Sequence, residues 1–73
     1  MNKHWLFFYD GIAETLEIVE YGDKDAIRAK LNELTKGFSY IRQWTADGMT
    51  HIDFGSHWRF FKIYPSMDVL AII

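Results

Sequence analysis

Cysteine is absent from this 73-residue chain, so neither a disulfide framework nor a thiolate metal site can staple it. Long apolar runs are absent too. Val69–Ile73, at the end of the chain, is far too short to span a bilayer. Trp5–Tyr9 is too short for the apolar core of a signal peptide, and no cleavage-site pattern follows it. A soluble, cytoplasmic protein is the expectation. Positive charge is in short supply: eight Lys and Arg face ten Asp and Glu, a net charge of −2. That balance argues against wholesale nucleic-acid binding, which usually shows as a basic domain. No phosphate loop, dinucleotide fingerprint or nucleophile-elbow pattern occurs either, so no enzyme and no cofactor are expected.

What the chain has in quantity is aromatic bulk, with three Trp, four Tyr and six Phe. Each can bury roughly 150–250 Å². A chain this small forms one domain, residues 1–73, and buries only about 60% of its unfolded surface. The aromatics either fill that small core or leave a surplus that forms a contact surface. Charge is uneven, with −4 over residues 1–25 and +2 over the rest. An acidic half of this kind suits a basic partner, or is simply a solvated face.

The clearest element is Asp23–Gly37 (DKDAIRAKLNELTKG). Asp23 is a good N-cap, Asp25 and Lys36 complement the helix dipole, and Gly37 suits a left-handed residue past the end. Ile27, Leu31, Leu34 and Phe38 follow at i, i+4, i+7 and i+11, one narrow apolar stripe to lay across a flat partner.

The flanking segments read as strands. Lys3–Tyr9 and Ile12–Tyr21 flank Asp10-Gly11, the signal of a two-residue turn. Such a loop sets Tyr9 opposite Ile12, Trp5 opposite Leu16 and His4 opposite Glu17. One face then carries Trp5, Phe7, Tyr9, Ile12, Leu16 and Ile18, the set assigned to the helix. The other carries Leu6, Phe8, Val19 and Tyr21, too apolar for water. Phe7 would face Glu14, and a one-residue register slip is the alternative. Past the helix, Ser39–Ala46 and Met49–Phe54 flank Asp47-Gly48, pairing Ile41 with Phe54, Gln43 with Ile52 and Thr45 with Thr50 on the core side. The opposite side pairs Arg42 with Asp53, Trp44 with His51, and Tyr40 with Gly55. Trp58–Tyr64 is the next strand, ended by Pro65. A four-residue loop before it places Phe61 and Ile63 in the core, worth about 1.5–3 kcal/mol each. A three-residue loop instead sets Arg59 against Asp53, an exposed pair worth less than about 1 kcal/mol. Val69–Ile73 is read as an added edge strand or a short helical turn. The expected fold class is therefore α+β: a single antiparallel sheet in ββαβββ order, with one helix packed on one face.

Three surfaces remain as candidates. Tyr40, Arg42, Trp44, Met49, His51 and Asp53 form an aromatic and arginine patch of the kind enriched at protein interfaces. Leu6, Phe8, Val19 and Tyr21, with Leu70 and Ile72, are the expected oligomer interface. Arg42, Trp44, His51, Arg59 and Lys62 form the alternative, a nucleotide or single-stranded nucleic-acid surface. His51, Asp53 and His57 make an H-x-D-x-x-x-H pattern, but a 73-residue chain has little volume for a walled metal centre, so no metal is expected. His4 with Glu17 reads as a cross-strand pair. The expectation is a non-enzymatic protein-interaction module and homo-oligomer that masks a partner protein. It has the character of small phage- or plasmid-borne accessory or inhibitor proteins, an impression of type that carries over no residues.

Overall fold

Asp23 opens the helix as its chemistry dictates: its Oδ1 accepts the Ala26 N–H at 2.9 Å. The helix, α1, spans Lys24–Leu34 in a computed structural model that describes residues 2–38, 41–56 and 58–69. It stops earlier than expected. Thr35 caps it, donating both its N–H (2.9 Å) and its hydroxyl (2.8 Å) to the Leu31 carbonyl. Lys36 and Gly37 therefore lie beyond the last turn, and Gly37 takes the left-handed conformation, φ +94°, that turns the chain away.

The strands are β1 (His4–Asp10), β2 (Thr15–Gly22), β3 (Arg42–Ala46), β4 (Met49–Asp53) and β5 (Arg59–Tyr64). They form one antiparallel sheet in the order β2-β1-β5-β4-β3. This is the α+β class and the ββαβββ order expected, with a placement that local sequence does not reveal: β5, the last strand, lies between the two hairpins. The second hairpin keeps its expected register, Arg42 opposite Asp53, Gln43 opposite Ile52 and Trp44 opposite His51. Asp47 and Gly48 both adopt positive φ, 56° and 75°, as a two-residue turn of this type requires. The four-residue loop before β5 is also the one observed, since Ile52 pairs with Phe61 and Thr50 with Ile63.

The first hairpin departs from expectation. Its turn is Gly11–Glu14, not Asp10-Gly11 alone. The Asp10 carboxylate accepts the Ile12 and Ala13 N–H groups (2.9 and 3.1 Å), and Glu14 takes the left-handed conformation, φ 57°. Tyr9 consequently faces Leu16, and Phe7 faces Ile18 in place of Glu14. A bulge between Leu6 and Phe7 then sets Trp5 opposite Tyr21 and His4 opposite Gly22. The expected His4–Glu17 pair does not form. His4 is buried, and its Nδ1–H donates to the Pro65 carbonyl at 2.7 Å.

The face assignment of this hairpin is inverted. Because β5 pairs with β1, Leu6 lies opposite Ile63 and Phe8 opposite Phe61. The core residues of β5 thus draw the even-numbered positions of β1 to the helix side. Leu6, Ile27, Leu31, Ile52, Phe54, Phe61, Ile63 and Met67 make the core, with Phe8, Val19, Leu34, Ile41 and Val69 packed around it. Leu6 is fully buried and Phe8 and Val19 support the helix, so these three are not available as an oligomer surface. Tyr21, shifted by the bulge, moves to the other face.

Helix α1 packs on β2 and β1, and the chain after Pro65 covers the β4–β3 side of the same face. Thr50, wholly buried, uses its hydroxyl twice: it donates to the Met67 carbonyl (2.8 Å) and accepts the Met67 N–H (2.9 Å). Farther along, the Gln43 amide meets Asp68 and the Val69 N–H, and Arg28 of the helix holds the Asp68 carbonyl. Residues 66–69 are thus an irregular strap, and the reading of Val69–Ile73 as an added edge strand or helical turn falls on residues 70–73, outside the described residues. Leu70 and Ile72 lie outside the described residues.

Candidate interaction surface

With one face of the sheet covered by helix and strap, the other carries no element among the described residues. Its occupants follow from register. From β1 and β2 come Trp5, Phe7, Tyr9, Leu16, Ile18 and Tyr21. From β5, β4 and β3 come Phe60, Lys62 and Tyr64, then Met49, His51 and Asp53, then Arg42 and Trp44. Six large hydrophobics among these, namely Trp5, Leu16, Ile18, Tyr21, Trp44 and Tyr64, are more than a third exposed. Single exposed hydrophobics are ordinary, but six on one sheet face form a patch.

The two sides of this face differ. The β1–β2 side holds no charged residue. Trp5 and Tyr21 pack there, with ring centroids 4.2 Å apart, followed along the two strands by the Phe7–Ile18 and Tyr9–Leu16 pairs. The β3–β4 side mixes charge with rings. Trp44 stacks on His51 at 5.3 Å and 12°. The Arg42 guanidinium lies 5.4 Å from the Trp44 ring centre, and Phe60 meets Trp44 edge-on at 6.1 Å. Lys62 bridges toward the first side with its Nζ 4.5 Å over the Tyr9 ring. An open hollow of about 330 Å³, lined by Asp53, Gly55, Ser56, Trp58 and Phe60, ends this side.

Arg42, Trp44, Met49, His51 and Asp53 are therefore brought together as the sequence suggests; Tyr40 lies outside the described residues. Arg59 does not join them. It is in phase with Phe61 and Ile63, and its Nε donates to Asp10 Oδ2 at 3.2 Å. The Asp10 carboxyl is held below its ordinary range, chiefly by the Ala13 N–H, with Arg59 and the Ile12 N–H adding to the effect. His51 and Asp53 point to the same side, while His57 lies outside the described residues; among those described, no three His, Asp or Glu side chains converge as metal ligands.

Sequence reasoning placed Trp5, Leu16 and Ile18 in the core and overlooked Tyr64. One signal was available: Trp5, Tyr9 and Tyr21 carry polar tips suited to a wet surface, whereas Leu6, Phe8 and Val19 have none.

No family model matches the chain, and the searches of the curated proteins and of the solved structures return no significant match. Among the described residues, no helix is long and apolar enough to cross a membrane.

Proposed function

We propose that this chain is a small, non-enzymatic protein-interaction module of the cytoplasm that docks through the open face of its sheet. It acts by masking part of a partner protein, as accessory and inhibitor proteins do. The observation that carries this reading is the asymmetry of the sheet: one face is covered by helix and strap over its core, and the other presents aromatics to solvent. Trp44, on the edge strand β3 and held by His51 and Arg42, has the character of a pre-ordered anchor. Trp, Tyr, Arg and Met, all present here, are the residue types enriched where proteins meet.

Site-specific photo-crosslinking in the native cell tests it. A benzophenone side chain at Tyr64, on the open face, is expected to capture a discrete polypeptide. The same group at Ala29, on the outer helix surface, is expected to capture none. Equal labelling from both positions would remove the reading.

A second reading has its own support. The set Arg42, Trp44, His51, Phe60 and Lys62 combines cations with rings, the chemistry by which sheets bind single-stranded nucleic acid. It predicts quenching of Trp fluorescence by oligonucleotides at low salt, relieved steeply by added salt. The Trp44 ring is already engaged by His51 and Arg42, and the charge-free side offers nothing to phosphates, so the protein partner is preferred.

A further inference from the structure

We infer that the charge-free side of the open face, carried by β1 and β2, is occupied by a second copy of this chain. The inference rests on the docking reading above and assigns one part of that surface, leaving the Arg42–Trp44–His51 side for a different protein.

Three observations point to self-association. The first is the balance of apolar residues: nine large hydrophobics are exposed among the described residues, while eight hydrophobics are buried. A domain of this size without disulfides commonly gains its missing burial by oligomerising. The second is charge. Trp5, Leu16, Ile18, Tyr21 and their neighbours Phe7 and Tyr9 include no ionic group, and Lys62, opposite Phe7 at the edge of the patch, holds its ammonium 4.5 Å over the Tyr9 ring. Two identical patches therefore meet with little of the like-charge repulsion that a two-fold contact otherwise imposes. The third is size. Trp5, Leu16, Ile18 and Tyr21 are 39–61% exposed. With side chains of this size, the patch offers on the order of 500 Å² per copy, about 1,000 Å² in all, which reaches the lower range of specific interfaces. The Arg42–Trp44–His51 side, bearing charges of both signs, lies outside the contact.

Sedimentation equilibrium on the full chain is the test, over about 1–100 µM, the range expected of an interface at the small end of the size scale. The wild type is expected to approach twice its 8.7 kDa chain mass. Ile18→Glu is expected to weaken association about 100-fold or more, because symmetry buries the unpaired charge twice. Ile12→Glu, in the first turn and off the face, is expected to leave it unchanged. Should Ile18→Glu lose its native circular dichroism, Leu16→Lys serves the same purpose on the same strand. A wild type that stays at 8.7 kDa throughout overturns the inference, as does a dimer indifferent to both β2 substitutions. The two proposals fail separately: a monomer whose Tyr64 position crosslinks to another polypeptide refutes the second copy and retains the docking face, whereas a monomer that crosslinks to nothing refutes both.

Discussion

The two faces of this sheet are built from the same strands, yet they solve opposite problems. On the covered face, most alternate residues of β1, β5 and β4 are aliphatic or Phe, and the polar exceptions find partners within the chain: Thr50 with Met67, His4 with Pro65, and Asp10 with Arg59 at the rim. On the open face the alternate residues are mainly Trp, Tyr, His, Lys and Arg, whose polar ends tolerate water while their bodies remain apolar. The lesson is that apolarity on both sides of β1 does not mean two interfaces of one kind. One side answers to this chain's own helix and strap, and the other is left uncovered by any described element, the difference on which the proposed docking role rests.

Substitutions can break that contrast, beginning with the most disruptive. Leu6→Ala opens a cavity beneath the helix and is expected to cost about 2–5 kcal/mol by urea unfolding, independent of protein concentration. Ile18→Ala, the equivalent truncation on the open side, is expected to show a smaller loss that grows with protein concentration, as the proposed contact with a second copy requires. If the two behave alike, the distinction between the faces is wrong. Next, Thr50→Val leaves the Met67 N–H and carbonyl buried without partners, an expected loss of about 1–3 kcal/mol. Hydrogen exchange should then show residues 66–69 opening ahead of the strands.

Gly11→Ala probes the rim where the faces meet. Gly11 donates to the Trp58 carbonyl at 2.6 Å, and an added Cβ would lie 2.9 Å from that same oxygen. The two turns must separate, at about 1–2 kcal/mol, seen as a lowered Tm. Asp10→Asn should have the mildest effect. Because the folded Asp10 has a lowered pKa, its charged form stabilises the fold above its ordinary value near 3.8, and that stabilisation is lost as pH falls through the lower folded value. The Tm difference from wild type is thus expected at neutral pH and should vanish well below 3.8.

Local chemistry made much of this readable in advance. The Asp23 cap, the Ile27–Leu31 stripe and the Asp47-Gly48 turn are short-range signals, and each appears where expected. The four-residue loop before β5 followed from weighing the burial of Phe61 and Ile63 against one exposed ion pair. What stayed hidden was non-local. Nothing near Lys3–Tyr9 announces that its second neighbour is a strand some fifty residues away, yet the Leu6–Ile63 and Phe8–Phe61 pairings decide which side of β1 is inside. The Asp10-Gly11 signal misled for a local reason: the Asp10 side chain bonds forward to Ile12 and Ala13 and lengthens the turn. The strap was equally invisible, since Thr50 gives no hint in sequence that its hydroxyl will hold Met67.

The position of β5 has a consequence for how the molecule is made. Until Arg59–Tyr64 has been synthesised, the nascent chain holds two hairpins that share no hydrogen-bonded edge, and each is marginal alone. The keystone arrives after everything it joins. A fragment that stops before Arg59 should therefore wait with a vacant slot between β1 and β4, and a peptide carrying residues 59–69 has the sequence to fill it in trans.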